Sequence, residues 1–171
     1  MKVESVARGG ASHVRYRQVA IGSPDVEITS GTDGVIYLRP GEPLEPLPER
    51  LLERLLYWAA LTPEATLVAE RAADGSWRRI SYAEMLESVR AIAQALLAYG
   101  LSAERPLVIL SGNDLEHLQL AFAAMYAGIP YCPVSPAYAL LSQDLAKLRH
   151  IFDLLQPGLI FAADAVPFQR A

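Results

Sequence analysis

Apolar residues in this chain recur with two different periods, and glycine or proline marks most of the places where the period changes. Val26-Glu27-Ile28-Thr29 alternates apolar and polar, Gly31-Thr32-Asp33-Gly34 supplies turn residues, and Val35-Ile36-Tyr37-Leu38 returns, which predicts a β-hairpin. The stretch PGEPLEPLP, Pro40 to Pro48, follows with four prolines in nine residues. Ring sterics and missing N–H donors exclude helix there and favour extended chain, so it reads as a linker. Beyond it, Leu51, Leu52, Leu55, Leu56 and Ala59 fall at helical spacing, and Pro63 pushes Thr62 out of the helical region, ending that helix near Leu61.

A second hairpin is expected from Leu67–Glu70 and Trp77–Ile80, joined by Ala72–Ser76 with an Asp74-Gly75 pair that tolerates positive φ. Ser81 and Glu84 then form a capping box opening a helix over 82–99, whose apolar face is Met85, Val89, Ile92 and Leu96 and whose end is Gly100. The unbroken run Leu107-Val108-Ile109-Leu110 is the pattern of a strand covered on both faces, as in a parallel sheet. Asn113 with Glu116 repeats the capping logic for a helix through Ala127, closed by Gly128. Tyr131–Val134 reads as a strand. Leu145, Leu148, Phe152 and Leu155 make another helix face, stopped at Gln156 by Pro157, and Leu159-Ile160-Phe161 begins a further strand.

Alternating strand and helix predicts βαβ crossovers and an α/β fold with a mainly parallel sheet, flanking helices and an N-terminal β-hairpin arm. Two regions are expected: 1–48, the arm with its hairpin and Pro-rich linker, and 49–171, an α/β subdomain that lacks a helix to cover its last strand. Such an incomplete layer is expected to aggregate or pack loosely by itself.

Composition narrows the function classes. The 52% hydrophobic and 20% charged fractions over 171 residues fit a globular domain. A net charge of −4 and no Lys/Arg cluster argue against a nucleic-acid partner. Leu115–Ala127 is too short and too interrupted by Glu116, His117 and Gln119 to span a bilayer. Met1–Gln18 carries Lys2, Arg8, Arg15 and Arg17 without an apolar core of a secretory signal. The lone Cys132 fits a reducing compartment, so a cytoplasmic location is expected.

Candidate chemistry is sparse. The chain has no GxxxxGK[ST], no GxGxxG, no CxxC and no HExxH, so neither a phosphate cradle nor a metal site can be read from it. Ser111 ends a strand ahead of a helix, but LSGN does not fit G-x-S-x-G, and a turn residue supporting the Asn113 cap is the better reading. His117 reads as a packed or surface histidine rather than a base, His150 beside Arg149 and Asp153 as part of a solvated face, and His13 carries no signal. Tyr126, Tyr131 and Tyr138 could line an aromatic pocket, with core edge preferred. Cys132 has no neighbouring cation to activate it and reads as an inert thiol.

Two stretches carry a family resemblance. RRISYAEMLESVRAIAQALLAYGL, Arg78 to Leu101, resembles the first core motif of the adenylate-forming superfamily of acyl-CoA synthetases, luciferases and nonribosomal adenylation domains. MYAGIPYCPVSP, from Met125, is similar to its second core motif, where a helix ends at Ala-Gly and a strand leads to proline. Within the superfamily, SGNDLEH at 111–117 and GIPYCPVSPAYALLSQDLAKLRHI at 128–151 look most like bacterial feruloyl-CoA synthases, with Cys132 standing where Ala is expected.

The resemblance implies an enzyme that joins an aromatic carboxylate to CoA through an acyl adenylate, using ATP and Mg2+. It also implies that the phosphate loop, the acid pocket and the later catalytic lysine have no counterpart in these residues, while both motifs present are scaffold. No catalytic, cofactor-binding or metal-binding residue is therefore assigned. The chain is expected to be an inactive N-terminal piece of a hydroxycinnamate or ferulate CoA ligase whose partner is the missing C-terminal remainder. The alternatives are an interaction module or split-enzyme half that pairs with a separately encoded remainder, and a small serine hydrolase through Ser111.

Overall fold

The computed structural model describes residues 25–43 and 46–170. The readings of His13 and of Met1–Gln18 fall outside them. The chain divides into two compact units, Met1–Leu47 and Pro48–Ala171, each described by itself below.

In the first unit, strands β1 (Val26–Ser30) and β2 (Ile36–Pro40) pair antiparallel with Ile28 opposite Leu38. Because side chains alternate across a strand, Val26, Ile28, Ile36, Leu38 and Pro40 share one face, and Glu27, Thr29, Tyr37 and Arg39 the other. Val35 was expected in the return strand but belongs to the turn, where its carbonyl accepts from Gly31 N–H at 2.8 Å and its N–H donates to Asp33 Oδ1 at 3.1 Å. Gly34 takes φ 83°, which this turn requires.

The second unit begins with helix α1 (Glu53–Leu61), which buries Leu52 and Leu55 and ends where Thr62 N–H donates to Trp58 O at 2.8 Å. Strands β3 (Thr66–Arg71) and β4 (Trp77–Ser81) form the expected hairpin, with a register shift between Thr66 and Val68. Helix α2 (Tyr82–Ala98) opens on the expected capping box: Glu84 N–H donates to Ser81 Oγ at 3.3 Å, and Ser81 N–H donates to a Glu84 carboxylate oxygen at 2.8 Å. The bond from Ser81 N–H holds the Glu84 carboxyl below its ordinary pKa. The buried face of α2 is Met85, Val89, Ala93 and Leu96, with Ile92 only half-buried at its edge. Met85, Val89 and Ala93 follow one another at i+4 spacing, so they stand one above the next along the helix.

Strand β5 (Leu107–Ile109) leads through helix α3 (Leu115–Ala127) to β6 (Tyr131–Pro133), then through a short helix α4 (Ala137–Leu140) and α5 (Ala146–Leu155) to β7 (Leu159–Phe161). The strands form a parallel sheet in the order β6-β5-β7. The α/β class and the parallel sheet expected from the sequence are both observed. Helix α4 was not expected; Pro136 starts it, since a fixed φ near −65° suits a first helical turn, and Leu140 N–H closes onto Pro136 O at 2.8 Å.

Alternation along β5 splits the core in two. Leu107 and Ile109 pack with Ala93, Leu96, Leu120, Ala124 and Ile129 from the α2 and α3 side. Val108 and Leu110 pack with Val134, Ala139 and Leu148 from the α4 and α5 side. The three β5 side chains are fully buried, worth about 1.5–3 kcal/mol each against exposure.

The helix ends explain the glycines. Gly128, at φ 71°, donates to Met125 O at 3.3 Å while Ile129 N–H donates to Ala124 O at 2.8 Å. This is a Schellman closure, and both Ile129 and Ala124 lie in the core. Gly100 and Leu101 close α2 on Leu97 and Leu96 in the same way. At Gln156 the following Pro157 disfavours the helical region, and the residue takes φ 46° instead.

Truncating a buried β5 residue should be far more damaging than removing a cap. Ile109→Ala is expected to cost about 2–5 kcal/mol, and Ser81→Ala about 1 kcal/mol. Urea unfolding followed by circular dichroism measures both, and equal costs would contradict this account of the core.

Candidate functional site

In an open parallel sheet, ligands bind beyond the carboxyl ends of the strands, at the point where the strand order reverses. Here the order β6-β5-β7 reverses between β5 and β7, because the chain leaves β5 towards β6 on one side and returns past it to β7 on the other. The segments concerned are 110–114 after β5 and 162–170 after β7.

Ser111 sits in the first loop, 4% exposed, and its Oγ accepts from Ala163 N–H at 2.7 Å. It ties the end of β5 to the segment after β7 and takes no part in capping α3, contrary to the sequence reading. The cap is also one residue later than expected. Asp114, with extended backbone at φ −115° and ψ 170°, accepts from His117 N–H on Oδ1 at 2.7 Å, so Asp114 displaces Asn113 and Glu116 has no capping role. The usable signal was the Asn-Asp pair, in which either residue can cap and the true first turn decides.

His117 is half-buried, and its Nδ1 lies 2.9 Å from Gly112 O. A carbonyl only accepts, so Nδ1 carries the proton and the ring braces the loop. Among the described residues no imidazole or carboxylate is hydrogen-bonded to Ser111 Oγ. A serine nucleophile lacks its base here.

The three tyrosines do not converge. Tyr131 packs on the cluster at the α3 face and Tyr138 on the cluster at the α5 face, both as core edges. Tyr126 is 43% exposed and lines a groove of about 550 Å3 with Leu51, Leu52, Leu56, Met125 and Ile129, so the core-edge reading fails for it. Cys132 is a free, half-buried thiol whose Sγ is directed at Pro133 O at 3.9 Å. His150 is exposed and lies with Tyr138, Ala146, Lys147 and Ile151 around a shallow depression, in keeping with a solvated face.

The sequence reading missed one polar centre. Arg78, at the start of the first motif, donates to Glu70 on β3 at 2.9 Å and to Glu116 on α3 at 2.8 Å. It pins the hairpin to the crossover helix. The hydrogen bond from Arg78 holds the Glu116 carboxyl below its ordinary pKa, and the bond to Glu116 raises that of Arg78. Only the fold brings 70, 78 and 116 together.

Comparison with known proteins places this geometry. The family described as AMP-binding enzyme matches residues 55–170. The probable non-canonical nonribosomal peptide synthetase CymA of Salinispora arenicola is 30% identical over 93 residues, 54% of this chain and 1% of CymA. The AMB antimetabolite synthetase AmbE of Pseudomonas aeruginosa is 31% identical over 133 residues, 77% of this chain and 6% of AmbE. A fatty acyl-adenylate ligase from L. pneumophila, solved with acyl adenylate and pyrophosphate, aligns with a TM-score of 0.60 and 19% identity. That alignment covers 67% of this chain and 20% of the ligase, and at such identity it shows a shared fold. The chain thus spans a small part of the length of each relative.

Two measurements probe the polar centres. Ser111→Ala removes the acceptor of the Ala163 N–H, so it should cost about 0.5–1.5 kcal/mol and speed hydrogen exchange at Ala163; unchanged exchange would remove the tie from this account. Arg78→Gln should cost about 0.5 kcal/mol at neutral pH, because the pair is largely solvent-exposed. Glu116 has a lowered folded pKa, so its contribution is present above the unfolded value of about 4.3 and is lost as pH falls through the folded one. The stability gap between the protein and this variant should therefore close on acidification below about pH 4, and a gap that widens would refute the assignment.

Proposed function

The chain belongs to the AMP-binding enzyme family, and from that premise we propose that its second unit is the opening scaffold of an ATP-dependent acid-activating enzyme that works through an acyl adenylate. In that reaction a carboxylate oxygen attacks the α-phosphorus of ATP, pyrophosphate leaves, and a thiol then displaces AMP to give a thioester. The match over 55–170 carries the reading, because it includes both motif segments and the whole parallel sheet. The family implies ATP and adenylate chemistry.

The described residues do not themselves fit a nucleotide triphosphate. They hold one lysine, Lys147, whose Nζ lies 5.5 Å from the Tyr138 ring centroid. Among them no group of three His, Cys, Asp or Glu could hold a metal ion. In this proposal these residues position the sheet and its loops, and the chain alone is inactive.

For the acid, we propose a hydroxycinnamate such as ferulate, joined to CoA. The support is the similarity of 111–117 and 128–151 to feruloyl-CoA synthases. A second reading, a split-enzyme half, is favoured by the sheet edge: β7 is an outer strand and its Ile160 is 45% exposed. In either reading the partner is the remaining part of the ligase. A cytoplasmic location belongs to the same proposal; no helix among the described residues is long and apolar enough to cross a membrane.

The purified chain should show no ferulate-dependent ATP–pyrophosphate exchange, and measurable exchange would overturn the scaffold assignment. Sequencing past the Ala171 codon separates the two readings. A phosphate loop in the same frame supports a single ligase, and one in an adjacent frame supports a split enzyme. For the latter, the two purified pieces should co-elute and restore ligation.

A further inference from the structure

We draw no further inference here: the strongest candidate, the apolar groove between the start of α1 and the C-terminal end of α3 lined by Leu51, Leu52, Leu56, Met125, Tyr126 and Ile129, is an unpartnered face and nothing in the structure shows what covers it.

Discussion

Burial of β5 on both faces is the constraint from which the second unit follows. A strand whose successive side chains, Leu107, Val108 and Ile109, are all excluded from water needs cover above and below, and hydrogen-bonding neighbours on both sides. Parallel neighbours cannot be joined by a tight turn, so each must be reached through a crossover. Strand β6 lies on one side of β5 and β7 on the other. Crossovers of one hand running in opposite directions place their helices on opposite faces. Helix α3 therefore covers Leu107 and Ile109, and α5 covers Val108 and Leu110. The same topology opens the carboxyl edge between β5 and β7.

Chain punctuation then fixes lengths. The closures at Gly100 and Gly128 both put the residue after the glycine, Leu101 or Ile129, into the core on the α3 face of the sheet. Each helix thus ends by burying the first apolar residue of the segment that follows, which couples where the helix stops to where the chain goes next. Pro130 lacks an N–H, yet its carbonyl accepts from Leu107 N–H at 3.0 Å, so the ladder between β5 and β6 starts at the proline. Dense glycine and proline in 125–138 is the local requirement of a helix, a strand and a further helix meeting within fourteen residues.

The features legible in the sequence were those with short-range causes. The Ser81–Glu84 box, the Asp74-Gly75 turn, the stops at Gly100, Gly128 and Gln156, and the apolar run of β5 each depend on residues a few positions apart. The errors arose where neighbours compete or where partners are distant. Asn113 and Asp114 are both good caps, and the backbone at Asp114 decided between them. Ser111 finds Ala163 fifty-two residues away, and Arg78 finds Glu116 across thirty-eight, so neither bond has a local pattern to betray it. Tyr126 and Tyr131 are five residues apart, but α3 ends between them, and only Tyr131 meets the core.

The candidate edge is built so that its polar side chains serve the backbone. Ser111 accepts from Ala163, Asp114 accepts from His117 N–H, and His117 donates to Gly112, three bonds that hold one short loop. A hydroxyl, a carboxylate or an imidazole committed in this way stabilises loop geometry, and recruiting it for chemistry would give up that bond at a cost of about 0.5–1.5 kcal/mol. An edge wired like this suits positioning better than proton or phosphoryl transfer, since groups that handle substrate need a free lone pair or proton facing it. Membership of a family that makes adenylates is compatible with that wiring if triphosphate is gripped by other parts of the enzyme, and the two shared motifs then mark the frame on which those parts are mounted.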